Sequence, residues 1–186
     1  SEVLVVTGRP EDLSALESAI DIGAALLQKD VRPCVDLHEH RGTAGTLKDV
    51  ITDRGIKNDV LFIEGTAMPP HSLDPIFDDQ FKRQAVQGVF ASTTSMEPAG
   101  VVLMKNQTLS LVPSVGFFDL KEQLLPRIIE DGQTILVRDI AEDTIRITTP
   151  DDYLELVGSF GARILPENPK GPWIHRSVQV DPSAIL

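Results

Sequence analysis

The N-terminal third of the chain alternates short apolar runs with amphipathic stretches, and this alternation constrains the fold more than any other feature. Val3–Thr7 and Val60–Ile63 are short runs, almost wholly apolar, of the kind found in strands covered on both faces, and residues 33–37 are also predicted as a strand. Between these runs, residues 10–29 and 43–53 carry apolar side chains at helical spacing. Strand–helix–strand order with short connections predicts parallel pairing within an α/β fold, as a three-layer α/β/α sandwich.

The rest of the chain, up to about residue 165, predicts a less regular series of elements. The predicted elements are a helix over 72–84, strands over 86–93 and 100–104, a helix over 119–130, a strand over 134–138 and a helix that begins at Pro150. Asn106 and Gln107 are typical of a hairpin turn between strands over 101–105 and 108–112.

A change of composition after residue 165 predicts a domain boundary. Proline and glycine accumulate there, which is typical of a linker. Beyond it, Ile174, Val180 and Leu186 recur every six residues, and this spacing is the pattern of a parallel β-helix. These three positions are equally compatible with a plain extended tail. We therefore divide the chain into a domain over 1–165 and a linker with the first β-helix turns over 166–186.

Charge and cysteine content exclude several classes of function. The 28 acidic residues outnumber the 17 basic ones, and a net charge of −11 repels phosphate backbones and anionic headgroups. We therefore expect neither nucleic acid nor a membrane surface as a partner. One cysteine, Cys34, leaves no internal disulfide and no cysteine-based metal cage. The first residues lack the pattern of a signal peptide, so a cytoplasmic location is expected.

One short segment is a candidate binding element on its residues alone. The residues Gly42, Thr43, Ala44 and Gly45 lie between a predicted strand and a predicted helix. Small residues and free N–H groups at a helix start favour an anion or the edge of a base, although a tight turn explains the glycines as well. Lys48, Lys105 and Lys121 are interpreted as solvated surface lysines. No nucleophile elbow or Walker loop is present.

Three stretches together resemble the sugar-1-phosphate nucleotidyltransferase family, the nucleotide-sugar pyrophosphorylases. Residues 39–48 are similar to the segment in which Gly-Thr-Ala approaches the nucleotide base, and residues 59–65 resemble the central strand that ends in Gly-Asp. Residues 148–154 are similar to the family's Thr-Pro-Glu-Asp-Tyr-Leu ending. The resemblance implies a Rossmann-like, mostly parallel mixed sheet, with a left-handed β-helix appended in some members. It also implies a nucleotide at Gly42 to Gly45 and a sugar near Gly100 and Gly116.

Departures from the family pattern affect the chemistry. The resemblance implies two magnesium-binding aspartates, but Thr66 and Arg146 stand at those positions. A cation in place of a ligand carboxylate repels a metal, and threonine is a weak neutral ligand. The family's glycine-rich phosphate loop and its Glu-Lys-Pro element have no counterpart here. We therefore expect no catalytic residue and no magnesium cofactor. A further hypothesis applies if Arg146 faces the cleft: its guanidinium would then neutralise a phosphate in place of the metal that it excludes.

The resemblance and the departures together predict a catalytically degenerate domain. It would bind a nucleotide or nucleotide-sugar as a regulatory or assembly module in polysaccharide or nucleotide-sugar metabolism. The alternative is an active enzyme, seen as a fragment, that converts a nucleoside triphosphate and a sugar 1-phosphate into a nucleotide-sugar and pyrophosphate, with magnesium as its cofactor. Both ends of the sequence favour a fragment, and an uncovered sheet edge favours a homo-oligomer or a larger assembly.

Overall fold

The computed structural model describes residues 3–27, 31–36, 38, 40–68, 73–77, 86–92, 98–139 and 146–164. The strands are β1 (Val3–Thr7), β2 (Val31–Val35), β3 (Val60–Ile63), β4 (Val86–Ser92), β5 (Pro98–Met104) and β6 (Thr134–Asp139). The α-helices are α1 (Leu13–Leu27), α2 (Gly42–Asp53), α3 (Leu125–Glu130) and α4 (Pro150–Ile164). The predicted boundary at 165 and the predicted β-helix lie outside the described residues.

The first βαβ unit confirms the parallel pairing predicted for it. Strands β1 and β2 run parallel, in register from Val3 opposite Val31 to Thr7 opposite Val35, and α1 contacts β2. A 3₁₀ turn over Pro10–Asp12 precedes α1, so the α-helix begins three residues later than predicted.

The third predicted strand does not continue this parallel pairing. The described residues form a second sheet in the order β3-β5-β4-β6, in which β5 pairs antiparallel with both β3 and β4, and β4 pairs parallel with β6. Ser92 and Pro98 are register partners, and a connection that short excludes a crossover, so β4 and β5 must be antiparallel. Two of the four described pairings are parallel and two are antiparallel. The predicted mixed sheet is therefore confirmed, whereas the described strands do not show the expected excess of parallel pairs.

The hairpin predicted at Asn106 and Gln107 is also wrong. Residues Asn106–Leu111 form a 3₁₀ helix instead. Both edges of β5 are already paired, with β3 and β4, so a strand after residue 107 has no edge to join. The Asn106 side chain donates to the carbonyl of Ile56 at 2.9 Å, and Thr108 is buried with its hydroxyl 3.1 Å from Oε1 of Gln87.

Apolar side chains cover both faces of the second sheet, as the alternation along β5 shows. Val102 and Met104 pack with α2 and with the segment that leads into α3, whereas Val101 and Leu103 pack with Ile76 on the opposite face. Successive strand residues point to opposite faces, so β5 is the centre of a layered α/β core. Among the described residues no helix is long and apolar enough to cross a membrane.

The helix predicted over 72–84 is described only in part, and that part is a 3₁₀ turn over Asp74–Ile76. The predicted starts of two later helices are confirmed. Asp119 caps a π-helical turn over Leu120–Leu124 that continues into α3. At α4, the hydroxyl of Thr149 accepts from the N–H of Asp152 at 3.2 Å.

Candidate functional site

The first turn of α2 contains the Gly-Thr-Ala-Gly segment and packs against the backbone of a distant loop. The N–H groups of Ala44 and Gly45 each donate to the carbonyl oxygen of Phe118 at 3.1 Å. Gly42 has a φ of +70°, and a Cβ at that position would lie 2.8 Å from the same oxygen. Because only glycine tolerates both the positive φ and this approach, Gly42 is explained by a close contact within the chain.

Thr43 connects this turn to the cap of the next helical segment. Its hydroxyl donates to Oδ2 of Asp119 at 2.9 Å and accepts from the N–H of Leu120 at 2.9 Å. The other carboxylate oxygen of Asp119 accepts from the N–H groups of Lys121 and Glu122. Burial by itself would raise the pKa of Asp119, but these hydrogen bonds outweigh it and lower that pKa below its usual range.

Arg41, directly before α2, is buried and fully engaged with its own chain. Its Nε lies 2.7 Å from Oδ2 of Asp49, and its Nη2 donates to the carbonyl of Pro113 at 2.9 Å. Its Nη1 donates to the carbonyl of Gly116. The hydrogen bond to Asp49 is the main reason why the pKa of Arg41 is raised. We call Arg41, Asp49 and these two carbonyls the Arg41 joint; it holds the loop that contains Gly116, whose φ is +86°.

The two positions at which the resemblance places metal ligands lie side by side. Thr66 follows β3, and its carbonyl accepts from the N–H of Ile147 at 2.7 Å. Ala67 and Arg146 form an antiparallel bridge next to this hydrogen bond. The backbone of Arg146 is therefore fixed against the end of β3.

Glu64, between β3 and Thr66, forms ion pairs with two basic side chains. Its Oε1 lies 2.5 Å from Nζ of Lys121, and its Oε2 lies 2.8 Å from Nη2 of Arg146. The Glu64 side chain is 14% exposed, compared with 27% for Lys121 and 45% for Arg146. We call these three side chains the Glu64 cluster. Both carboxylate oxygens are used by charge-assisted contacts, which are among the stronger polar contacts in proteins.

Gly100, predicted to lie near a sugar, adjoins the Glu64 cluster. Its carbonyl accepts from the N–H of Glu64 at 2.8 Å. Its φ is +73°, and a Cβ there would lie 2.7 Å from Cβ of Ala67 and 3.4 Å from Oε2 of Glu64. Glycine is therefore required at position 100 for the backbone beneath the cluster to pack.

A continuous series of polar contacts joins the start of α2 to residue 146. It runs from Thr43 through Asp119 and Lys121 to Glu64 and Arg146. The structure thus brings the Gly-Thr-Ala-Gly turn, Gly100 and the two positions at which the resemblance places metal ligands into one region, whereas Gly116 belongs to the Arg41 joint.

The residues of this region do not fit a divalent cation. Thr66 supplies no carboxylate, and the Glu64 carboxylate is already neutralised by the guanidinium and the ammonium. Among the described residues no three histidine, cysteine or acidic side chains converge as metal ligands. Magnesium prefers several oxygen ligands in a near-octahedral arrangement, and here a cation already lies at the carboxylate it would need.

Sequence reasoning missed two residues of this region. It interpreted Lys121 as a surface lysine and gave Glu64 no role beyond closing a strand. A signal for Lys121 was present, since it follows the capping residue Asp119 by two positions and therefore lies in the first turn of a helix. Its partner was not foreseeable, because Glu64 is 57 positions earlier in the chain.

Comparison with family models finds no match, and no curated protein matches the sequence. Solved structures do match, 71 chains in all. One is the inositol-1-phosphate CTP transferase of T. maritima, with a TM-score of 0.59 and 14% sequence identity, over 85% of this chain and 75% of that one. At this identity the similarity shows the fold alone, and that fold is nucleotidyltransferase-like.

Proposed function

We propose that this chain is a catalytically degenerate nucleotidyltransferase-like domain that binds a nucleotide or a nucleotide-sugar without magnesium. The observation that carries the proposal is the Glu64 cluster, in which Arg146 and Lys121 neutralise the carboxylate at the end of β3. The nucleotidyltransferase-like fold supports the class of ligand.

The physical reason for lost catalysis lies in how nucleotidyl transfer is accelerated. The reaction depends on positioning and on neutralising charge that develops on the phosphates, work that bound metal ions commonly do. With Thr66 and Arg146 in place of two carboxylates, the chain keeps a neutralising charge but has no ligand set that would hold a metal. Binding without turnover is the expected consequence.

A role follows from binding without turnover. A domain that senses a nucleotide or nucleotide-sugar and reports it to a partner fits a regulatory or assembly module in polysaccharide or nucleotide-sugar metabolism. We propose a homo-oligomer or a larger assembly as the working form, because β3 and β6 each lack a second strand partner among the described residues.

The alternative function is an active sugar-1-phosphate nucleotidyltransferase of which this chain is a part, with magnesium held by residues beyond those described. The structurally similar protein from T. maritima is named as a CTP transferase, which favours activity in this fold. The two functions differ in one respect that is simple to measure, which is the effect of magnesium.

The test is calorimetric titration of the full chain with several nucleoside triphosphates and nucleotide-sugars, in EDTA and again in excess magnesium. We expect saturable binding in EDTA that magnesium does not strengthen, together with no release of pyrophosphate when a sugar 1-phosphate is added. Binding that requires magnesium, or release of pyrophosphate, would overturn the degenerate function and favour the alternative. Absence of any binding would refute both.

A further inference from the structure

We propose that Lys121 and Arg146 form a receptor for a phosphate or diphosphate group, and that Glu64 is an internal anion that occupies this receptor until a ligand displaces it. The inference rests on the proposed function, because it names the chemistry by which the domain would hold a nucleotide without a metal. It adds a residue that works against binding, which the resemblance to the family does not imply.

The geometry of Glu64 is that of an anion seated in a receptor. Its two carboxylate oxygens each contact a different cation, Oε1 with Lys121 at 2.5 Å and Oε2 with Arg146 at 2.8 Å. A phosphate group also carries neighbouring oxygens on one central atom, and it binds arginine and lysine by the same charge-assisted contacts. Two phosphate oxygens would therefore occupy the positions that the carboxylate oxygens take.

The two cations have donors to spare for a larger anion. A guanidinium carries five N–H donors and an ammonium carries three. In the part of the chain that the structure describes, the side-chain partner of both cations is Glu64, which accepts from one nitrogen of each. Their exposure, 45% for Arg146 and 27% for Lys121, leaves them accessible from solvent, whereas Glu64 is only 14% exposed. An anion that arrives from solvent meets the cations before it meets the carboxylate.

The receptor is anchored at both cations. Arg146 is held by its bridge to Ala67, and the N–H of Lys121 donates to Asp119 at 2.8 Å. Displacement of Glu64 would therefore move one side chain and leave the backbone in place. Because the backbones of Lys121 and Arg146 are fixed, only their side chains need to be ordered on binding, which limits the entropic cost.

The local charge explains why Glu64 opposes the ligand. The formal charges of Glu64, Asp119, Lys121 and Arg146 sum to zero, so an incoming anion meets no net attraction while the carboxylate is seated. Asp119 is engaged as a helix cap and stays where it is. Replacing Glu64 with glutamine keeps the shape of the side chain. It leaves these four side chains with a combined charge of +1, which attracts a phosphate.

The test is titration of the full chain with inorganic pyrophosphate in EDTA at low ionic strength. We expect Glu64→Gln to bind about tenfold more tightly than the native chain, since one competing charge has been removed. Arg146→Ala should weaken binding about tenfold or more. Arg54→Ala is the matched control, because Arg54 is also partly exposed, at 37%, and also lies near an acid, Asp53 at 3.9 Å; its affinity should equal that of the native chain.

A second measurement needs no variant. Acetylation of lysines by a limiting amount of reagent, read by mass spectrometry, should be slowed by pyrophosphate at Lys121 and left unchanged at Lys57, which is exposed. Equal protection at both lysines, or none at Lys121, would overturn the receptor. Unchanged or weaker binding by a folded Glu64→Gln variant would overturn the role of Glu64.

The inference and the proposed function can fail separately. If nucleotides bind to the native chain and to Arg146→Ala with the same affinity, the receptor is wrong and the proposed function survives. If pyrophosphate binds as expected but nucleoside triphosphates and nucleotide-sugars bind no better than pyrophosphate, the receptor survives and nucleotide recognition is wrong.

Discussion

Arg41 and Arg146 place the same side chain in two opposite settings. Arg41 is 4% exposed, and its guanidinium donates to Asp49 and to the carbonyls of Pro113 and Gly116. Arg146 is 45% exposed, and its described contact is with one oxygen of Glu64. Arg41 directly precedes the segment from Gly42 to Gly45 that the sequence predicts as a binding element, and Arg146 stands where the resemblance places a metal ligand. The Arg41 side chain is buried, whereas both cations of the Glu64 cluster are partly exposed to solvent. The difference separates a structural region from a candidate ligand site.

The largest expected effect comes from breaking the Arg41 joint. Arg41→Ala would leave the Asp49 carboxylate, 12% exposed, without its ion pair and two loop carbonyls without their donor. Removing one partner of a buried pair costs about 3–5 kcal/mol. Urea unfolding should show this loss in the free energy of unfolding. A loss below about 1 kcal/mol would mean that the joint does not hold the loop.

The next effect tests the close contact at the start of α2. Gly42→Ala adds a Cβ at a φ of +70°, 2.8 Å from the carbonyl oxygen of Phe118. The strain should lower the free energy of unfolding by about 1–3 kcal/mol. Gly55→Ala is the control: its φ is +63° but no atom lies within 4 Å, so it should cost less. Equal costs for both variants would show that φ alone, without the contact to Phe118, requires glycine at position 42.

A substitution in the Glu64 cluster should affect ligand binding more than stability, which is the opposite of the effect expected at the Arg41 joint. Arg146→Ala removes one partner of a partly exposed ion pair, and such pairs contribute about 0–1 kcal/mol. Thermal unfolding should therefore change little, while pyrophosphate affinity falls. A loss of stability as large as that of Arg41→Ala would contradict the comparison between the two regions, because it would make Arg146 structural.

The smallest effect concerns acid sensitivity at the start of α4. The hydroxyl and N–H of Thr148 and the N–H of Thr149 donate to Asp152 and lower its pKa from 3.8 to about 2. A depressed pKa stabilises the fold above pH 3.8, and that stability is lost as the pH falls from about 4 to 2. Thermal unfolding should show that the Asp152→Asn variant is slightly less stable than the native chain at neutral pH. The variant should also lose less stability than the native chain as the pH falls from about 4 to 2. An unchanged pH profile would refute the cap.

How far the sequence predicts this fold depends on whether an element is defined by neighbours in the chain. The alternation of Val3–Thr7 with a helical stretch predicts the first βαβ unit correctly, because strand period and helix period are local patterns. The cap at Asp119 is predicted for the same reason. The prediction of a hairpin at Asn106 is wrong because a hairpin needs a free sheet edge next to β5. The residues near Asn106 do not indicate whether β3 and β4 already occupy both edges of β5.

The candidate site divides along the same line. The sequence identifies Thr66 and Arg146 as substituted positions through the resemblance, and it identifies the glycines of residues 42–45 as a turn between a strand and a helix. It assigns Lys121 to the surface, because a lone lysine carries no sign of its partner. Glu64 meets Lys121 only after β3 and the cap at Asp119 are placed in the fold.

By itself, the sequence of this protein determines the order of the strands and the helix in its first βαβ unit and the later helix starts at Asp119 and Thr149. Only the tertiary structure shows that Gly42 permits a close contact with Phe118 and that Arg41 is hydrogen-bonded within its own chain. The convergence of Arg146 and Lys121 on Glu64 is likewise visible only in the tertiary structure. The physical reason is distance along the chain. Local patterns fix dihedral angles, whereas burial and distant ion pairs depend on the whole fold. The sequence predicts β1 as a strand covered on both faces, yet Val3 and Val6 are 43% and 41% exposed among the described residues. Ion pairs between residues 57 to 82 positions apart exist only when the whole fold brings them together.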